Sequence, residues 1–360
     1  MYPYFIILVI TVSLAFIGEN AKEKSIFFFK YYKALIFIIL TLFAGFRNIN
    51  VGSDTNMYAN RFERQYLSFI ELMTQNTRIE LGYRLLEFIA SLFSHQYVAI
   101  LLTTAIVVMF FQLKGIYKLS EQTAISLFVF ITFGIYTYVF NGARQALSAA
   151  IFVYAISFLI HGNFKKYTFW VIIAFFFHKS AIFGVPLYFL FRTKFSLKIF
   201  LFLGIATITV ITFFNVLMGY MSLLSEQYAK YQEIEATGGA YLTIAFTLLS
   251  GFFILIRPKL LKRFKKTYDV YLNMFLFGTI IYIIVYFSEA YIEMTRLAFY
   301  YILTAMFIWP LIFKSLKQNE IILVFVFFII VHVFFFYIFI GKMANLNPYS
   351  VNPQIINYFQ

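Results

Sequence analysis

At 360 residues, 62% hydrophobic and only 12% charged, with a mean hydropathy of +0.83, the chain carries more apolar surface than a soluble fold can hide from water. Its net charge of +14 would point to nucleic acid in a soluble protein, but here the first question is which loops carry it. Cysteine is absent, which excludes disulfides, thiol nucleophiles, iron–sulfur clusters and lipidated cysteines.

A hydrocarbon layer about 30 Å thick is crossed by roughly 20 apolar residues in a helix. Apolar runs near 3–18, 26–45, 97–113, 123–140, 146–161, 199–218, 241–256, 270–287, 297–313 and 320–340 predict ten spans. The expected fold is an all-α, polytopic transmembrane bundle, a single integral membrane domain over 1–360 with both termini outside. No basic residue precedes the first run, and Lys22 and Lys24 follow it, so it reads as a retained span and not a cleaved signal peptide. Basic loops recur at Lys22/Lys24/Lys30/Lys33, Lys114/Lys118, Lys165/Lys166, Arg192/Lys194/Lys198, Arg257 to Lys266, and Lys314/Lys317, all expected in the cytoplasm.

Residues 167–191 lie between two of these basic groups, and a single crossing there would throw every later basic loop outside. The preferred reading is a re-entrant-like hairpin of two short helices, 167–177 and 180–191, with His178-Lys179-Ser180 at its tip. One tilted helix is the alternative. A broken helix is tolerated at membrane depth only where protein or a wet cavity covers it, so the tip marks a site.

With this topology the inside receives 19 of the 29 basic residues and 5 of the 15 acids, which puts the whole net charge there. The inner basic residues are mostly lysine, whereas the outer ones include Arg47, Arg61, Arg64, Arg78, Arg84, Arg144 and Arg296. Lysine suffices for topology; arginine is preferred for bidentate contacts to phosphate or carboxylate. The outer arginines therefore point to an anionic ligand.

Three external segments follow: 47–96, 219–240 and the tail 341–360. The first opens with the polar turn GFRNINVGSDTNMYANRF (45–62) and contains the amphipathic LGYRLLEFIASLF (81–93), expected along the interface with Arg84 and Glu87 on one face. Arg144 begins the helix after the Asn141-Gly142 break, where an N-terminus is itself an anion site; it is a phosphate clamp or, more blandly, an interfacial anchor. His178 at the hairpin tip suits proton transfer or phosphate contact. Glu289, Glu293 and Arg296 form a surface salt bridge or a second clamp with orienting carboxylates. Glu80 is an orienting or basic carboxylate, or a partner of Arg78 or Arg84. His95, His161 and His332 give no metal-ligand spacing, and no nucleotide or hydrolase motif is present, so no metal and no cofactor are expected.

Taken in order, FRNINVGSDTNMY (46–58), IELGY (79–83), NGARQALSAA (141–150), FHKSAI (177–182) and EMTRLAFYY (293–301) resemble the EpsG-like and Wzy-type polysaccharide polymerases of bacterial envelopes, over nearly the whole chain. The resemblance implies a glycosyltransferase of the bacterial cytoplasmic (inner) membrane that joins undecaprenyl-pyrophosphate-linked oligosaccharide repeat units on its outer face. Partners would be the lipid-linked donor and acceptor, membrane lipids and a chain-length regulator, with no nucleic acid. It carries over Arg47, Gly52, Asp54, Tyr58, Glu80, Arg144, His178 and Arg296. Of these, His178, Asp54 and Glu80 are the candidate catalytic groups; Arg47, Arg144, Arg296 and Tyr58, with Glu293, are the candidate substrate contacts. A ligase of finished glycan and a flippase of the same lipid-linked units are the alternatives.

Overall fold

The computed structural model describes residues 1–21, 26–64, 68–74, 79–214, 216, 219, 239–290, 292–342 and 345–353. Arg78 and most of the 219–240 segment therefore lie outside the described residues. Among the described residues there is no strand, only an isolated antiparallel bridge between Arg47 and Val351. Eight helices are long and apolar enough to cross a membrane, and two shorter apolar helices, 31–45 and 201–212, accompany them. Together they fall on the ten expected spans, as a bilayer requires, because a helix satisfies its backbone N–H and C=O groups within one segment. The chain is an integral membrane protein.

The helices divide between two compact units, residues 1–185 with 317–360 and residues 186–316. The first contains α1 (Tyr2–Asn20), α2 (Ile26–Gly45), α3 (Thr55–Arg64), α4 (Phe69–Thr74), α5 (Leu81–Ser91), α6 (Tyr97–Leu119), α7 (Thr123–Thr132), α8 (Ala143–Ile160) and α9 (Phe164–Phe175). The second contains α10 (Tyr188–Phe191), α11 (Leu197–Thr212), α12 (Ala240–Ile256), α13 (Lys265–Phe287), α14 (Arg296–Ile302) and α15 (Ala305–Phe313). The last helix, α16 (Gln318–Lys342), returns to the first unit.

Helix α8 is the axis of the first unit, packed between α6 and α9. Its run of Ala143, Ala146, Ala149, Ala150 and Ala155 is buried, and such small side chains let neighbouring backbones approach closely. The expected span at 123–140 is interrupted: α7 stops at Thr132, Gly134 takes a left-handed φ of 74°, and the chain resumes as a 3-10 turn over Thr137–Phe140. The hairpin expected over 167–191 is met in part: the chain reverses, but a helix over 180–191 does not form, a 3-10 turn and the four-residue α10 standing in its place. Helix α9 ends at Phe175, a 3-10 turn covers Lys179–Gly184, and the Tyr167 hydroxyl donates to Gly184 O at 2.9 Å. Along a continuous helix those two residues would stand about 25 Å apart, so the chain has doubled back. In the second unit, Arg257 and Asp269 form a two-pronged ion pair of 2.6 and 2.8 Å at the foot of α13.

At one end of the first unit the tail straps the polar turn that follows α2. Gly52 N donates to Asn345 O at 2.8 Å, Asn48 N to Ser350 O at 2.9 Å and Asn352 N to Phe46 O at 2.9 Å. Tyr349 stacks on Phe43 with ring centroids 4.0 Å apart and donates to Phe43 O at 2.7 Å. The Met1 amino group reaches Asn347 Oδ1 at 2.8 Å, so the start of the chain, the turn and the tail share this end.

Gly52 is required in this turn on two grounds. Its φ is 96°, and a Cβ there would sit 2.5 Å from Phe140 O. Gly52→Ala is therefore expected to destabilise the protein by at least about 1 kcal/mol, read as a fall in thermal melting temperature in detergent; an unchanged temperature would contradict this packing.

Candidate active site

The site is built on an exchange of helix-end hydrogen bonds. The last turn of any helix leaves carbonyls without partners and the first turn leaves N–H groups. Here Gly82 N, in the first turn of α5, donates to Phe176 O just past the end of α9 at 2.8 Å. Ser148 on α8 donates its hydroxyl to Ala174 O at 2.8 Å. A Cβ at position 82 would lie 2.7 Å from Phe176 O, so the close approach needs glycine. These contacts fix the residue before α5, Glu80, beside the break after α9, where His178 stands.

Glu80 is the centre of the resulting cluster. Its Oε2 accepts from Arg144 Nη1 at 2.5 Å and its Oε1 lies 3.3 Å from His178 Nδ1. The carboxylate is 7% exposed, Arg144 24% and His178 21%. Burial alone would raise the Glu80 pKa, but the hydrogen bond from His178 and the charge and proximity of Arg144 outweigh it and bring it down to about 2. Glu80 is thus ionised at neutral pH and can only accept. His178 Nδ1 must then carry the proton of their shared hydrogen bond, which leaves Nε2 as the ring's acceptor atom.

The other face of Arg144 meets the Tyr58 hydroxyl. A guanidinium only donates, so the phenol oxygen accepts and the Tyr58 O–H remains for another acceptor. Arg144 Nε is buried with no hydrogen-bond partner among the described residues. Arg144 also lies in the first turn of α8, whose N-cap residue is Gly142, and the Tyr58 hydroxyl meets its backbone N–H as well. An orphaned guanidinium donor at the start of a helix forms an electropositive corner suited to an oxyanion.

Asp54 joins the cluster from the polar turn. It precedes α3, its backbone carbonyl accepts from Tyr58 N at 3.1 Å, and its carboxylate accepts from Ser53 Oγ at 2.8 Å. Asn141 ties this turn to the start of α8, its Oδ1 accepting from Ser53 N at 2.7 Å and Ser53 Oγ at 3.2 Å. Arg61 on α3 pairs with the buried Glu87 on α5 at 3.0 Å, bracing the two helices against each other. The sequence reading grouped Glu87 with Arg84 and took Asn141 only as a helix breaker; the pairings across the chain are tertiary and leave no local signal.

Arg47 lies elsewhere in this architecture. It is 1% exposed, donates to Ala44 O at 2.5 Å and to Thr55 Oγ1 at 3.1 Å, and sits over the Phe140 ring at 4.4 Å. Burial lowers its pKa to about 10, still charged at neutral pH. Its donors serve the fold beneath the turn. Arg296 heads α14 in the second unit, and the side chain of Glu293 lies outside the described set. The structure therefore brings together Asp54, Tyr58, Glu80, Arg144 and His178 within the first unit. His332, on α16, is buried with its Nδ1 3.0 Å from the Thr132 hydroxyl.

The Glu80 geometry has a pH signature. Its pKa falls from 4.5 to about 2 on folding, so its contribution to stability is complete above pH 4.5 and is lost as pH drops toward 2. The shift corresponds to about 3 kcal/mol. Melting temperature in detergent is expected to fall below pH 4.5 in the wild type, and Glu80→Gln is expected to lower it at neutral pH and flatten that acid limb; an identical acid limb in both proteins would contradict the assignment.

Searches of curated proteins and of solved structures return no match for this chain. The profile of the EpsG family matches residues 30–358, a stretch that contains the polar turn, the Glu80 loop, the start of α8 and the α9 break. This chain belongs to the EpsG family, a family of Wzy-like polysaccharide polymerases.

Proposed function

We propose that this protein polymerises lipid-pyrophosphate-linked oligosaccharide repeat units at the outer face of a bacterial cytoplasmic membrane. The observation that carries the reading is the convergence of Arg144 and His178 on one buried, ionised carboxylate, Glu80, at the N-terminus of α8. Positive-inside charge supports the orientation, since the lysine-rich loops and this cluster fall on opposite sides of the expected topology.

In this reading the acceptor sugar's hydroxyl oxygen attacks the anomeric carbon of the donor glycan. A new glycosidic C–O bond forms as the C–O bond to pyrophosphate breaks, and undecaprenyl pyrophosphate leaves with the electron pair. His178 Nε2 takes the hydroxyl proton. Arg144, the α8 N-terminus and the Tyr58 O–H stabilise the charge developing on the leaving phosphate. With a pKa near 2, Glu80 is too weak a base to take that proton; it fixes the His178 tautomer and the Arg144 fork. Asp54 is the second candidate base, adjoining Tyr58. Arg47 supports the turn that carries both.

Deleting the gene and resolving the surface glycan on a gel tests the reading. Collapse of the ladder to a single repeat unit is expected; an intact ladder would overturn polymerisation, and complete loss would favour a flippase or ligase. In the complemented strain, Arg144→Lys keeps charge but loses the planar fork, and is expected to cut chain extension about a hundredfold at normal expression. His178→Ala is expected to match it, and full extension by both would remove these roles.

A further inference from the structure

The second unit has a cavity of about 430 Å³, half open, bounded by α12, α13 and the turn before α14. Its walls include Thr243, Tyr282, Tyr286, Phe287, Glu289 and Thr295. The volume falls within the roughly 300–1,000 Å³ of small-molecule sites. Among the described residues that line it there is no lysine, arginine or histidine, and the one carboxylate is Glu289, so they offer a phosphate no positive charge. Hydroxyls of Thr243, Tyr282, Tyr286 and Thr295 interleave with aromatic faces, and Tyr282 and Thr295 hydrogen-bond to each other. Tyr286 is 43% exposed and Phe287 63%, leaving their rings accessible.

Glu289 occupies this wall with a φ of 50°, a left-handed backbone that costs a non-glycine residue roughly 1–3 kcal/mol. Glycine or asparagine would make the same turn with less strain. The carboxylate itself has no hydrogen-bond partner among the described residues. A carboxylate acceptor, a rim of hydroxyls and open aromatic faces, with no cation among the described lining residues, match one ligand chemistry. A pyranose presents C–H groups on its faces and hydroxyls around its edge, and is uncharged.

We infer that this cavity binds a neutral sugar ring of the glycan, a carbohydrate subsite built from residues other than the Glu80 cluster; the identity of the glycan as substrate rests on the polymerase reading above. Glu289 accepts hydrogen bonds from sugar hydroxyls, and Tyr286 supplies the stacking face.

The test uses fragments of the producing organism's own surface polysaccharide, prepared by partial acid hydrolysis and freed of lipid and phosphate. They are titrated into the full chain in nanodiscs and followed by saturation-transfer NMR. The wild type is expected to bind them, with affinity falling about tenfold or more in Glu289→Gln and in Tyr286→Ala. Tyr286→Phe, which keeps the ring, is expected to stay within about threefold and controls for folding. Equal affinity in all four proteins, or no binding by the wild type at millimolar fragment, would overturn the inference. An intact ladder in the deletion strain with fragment binding as expected would sink the polymerase reading alone and leave the carbohydrate site standing. A collapsed ladder without binding would do the reverse.

Discussion

A buried carboxylate is tolerated only when opposite charge or hydrogen bonds repay its lost hydration. Glu80 meets that condition with Arg144 on one oxygen and His178 on the other. Removing Arg144 would leave the Glu80 charge uncompensated and removing His178 would leave one oxygen without its donor, so all three positions are coupled. Each comes from a different segment: the loop before α5, the first turn of α8 and the break after α9. The need to bring them within hydrogen-bond reach explains features that look unrelated in the chain. Gly82 must be glycine to approach Phe176, Ser148 must offer a hydroxyl to Ala174, and the hairpin must break before His178.

The same logic orders the turn after α2. Arg47 is charged and almost completely buried, which would be destabilising without the Ala44 carbonyl, the Thr55 hydroxyl and the Phe140 ring around it. Thr55 in turn donates to Val51 O at 2.7 Å and lies 3.1 Å from Phe140 O, so the charge locks the turn to the segment that leads into α8. The tail then covers the turn through backbone hydrogen bonds. Asp54 and Tyr58 inherit their positions from this buried arginine and the strap above it.

Much of this was legible in the chain. Runs of apolar residues near the length of a bilayer gave the helices, because hydropathy is a summed local property. The basic loops on either side of residues 167–191 pointed to a reversal, and the chain does double back there, with a 3-10 turn where the second helix was expected. Arg144, His178 and Glu80 stood out because charge at a membrane boundary is costly without purpose. The partner of Glu80 was not legible: Arg78 and Arg84 are its neighbours in sequence, whereas Arg144 lies 64 residues away. Arg47 shared the residue type and location of a phosphate clamp, yet only packing distinguishes a buried strut from an open contact. The strap by residues 345–353 gave no signal at all, since backbone pairing between distant segments is independent of side-chain pattern.

In the proposed reaction this one chain transfers a glycan from lipid pyrophosphate using its own arginine, histidine and carboxylate groups. It is tested most directly by reconstituting the purified protein in liposomes with undecaprenyl-pyrophosphate-linked repeat units and measuring glycan length and released carrier together. Extended glycans are expected, with one undecaprenyl pyrophosphate freed per linkage formed and no nucleotide sugar added. Extension that needs a nucleotide sugar, or carrier release without any new glycosidic bond, would contradict that reaction.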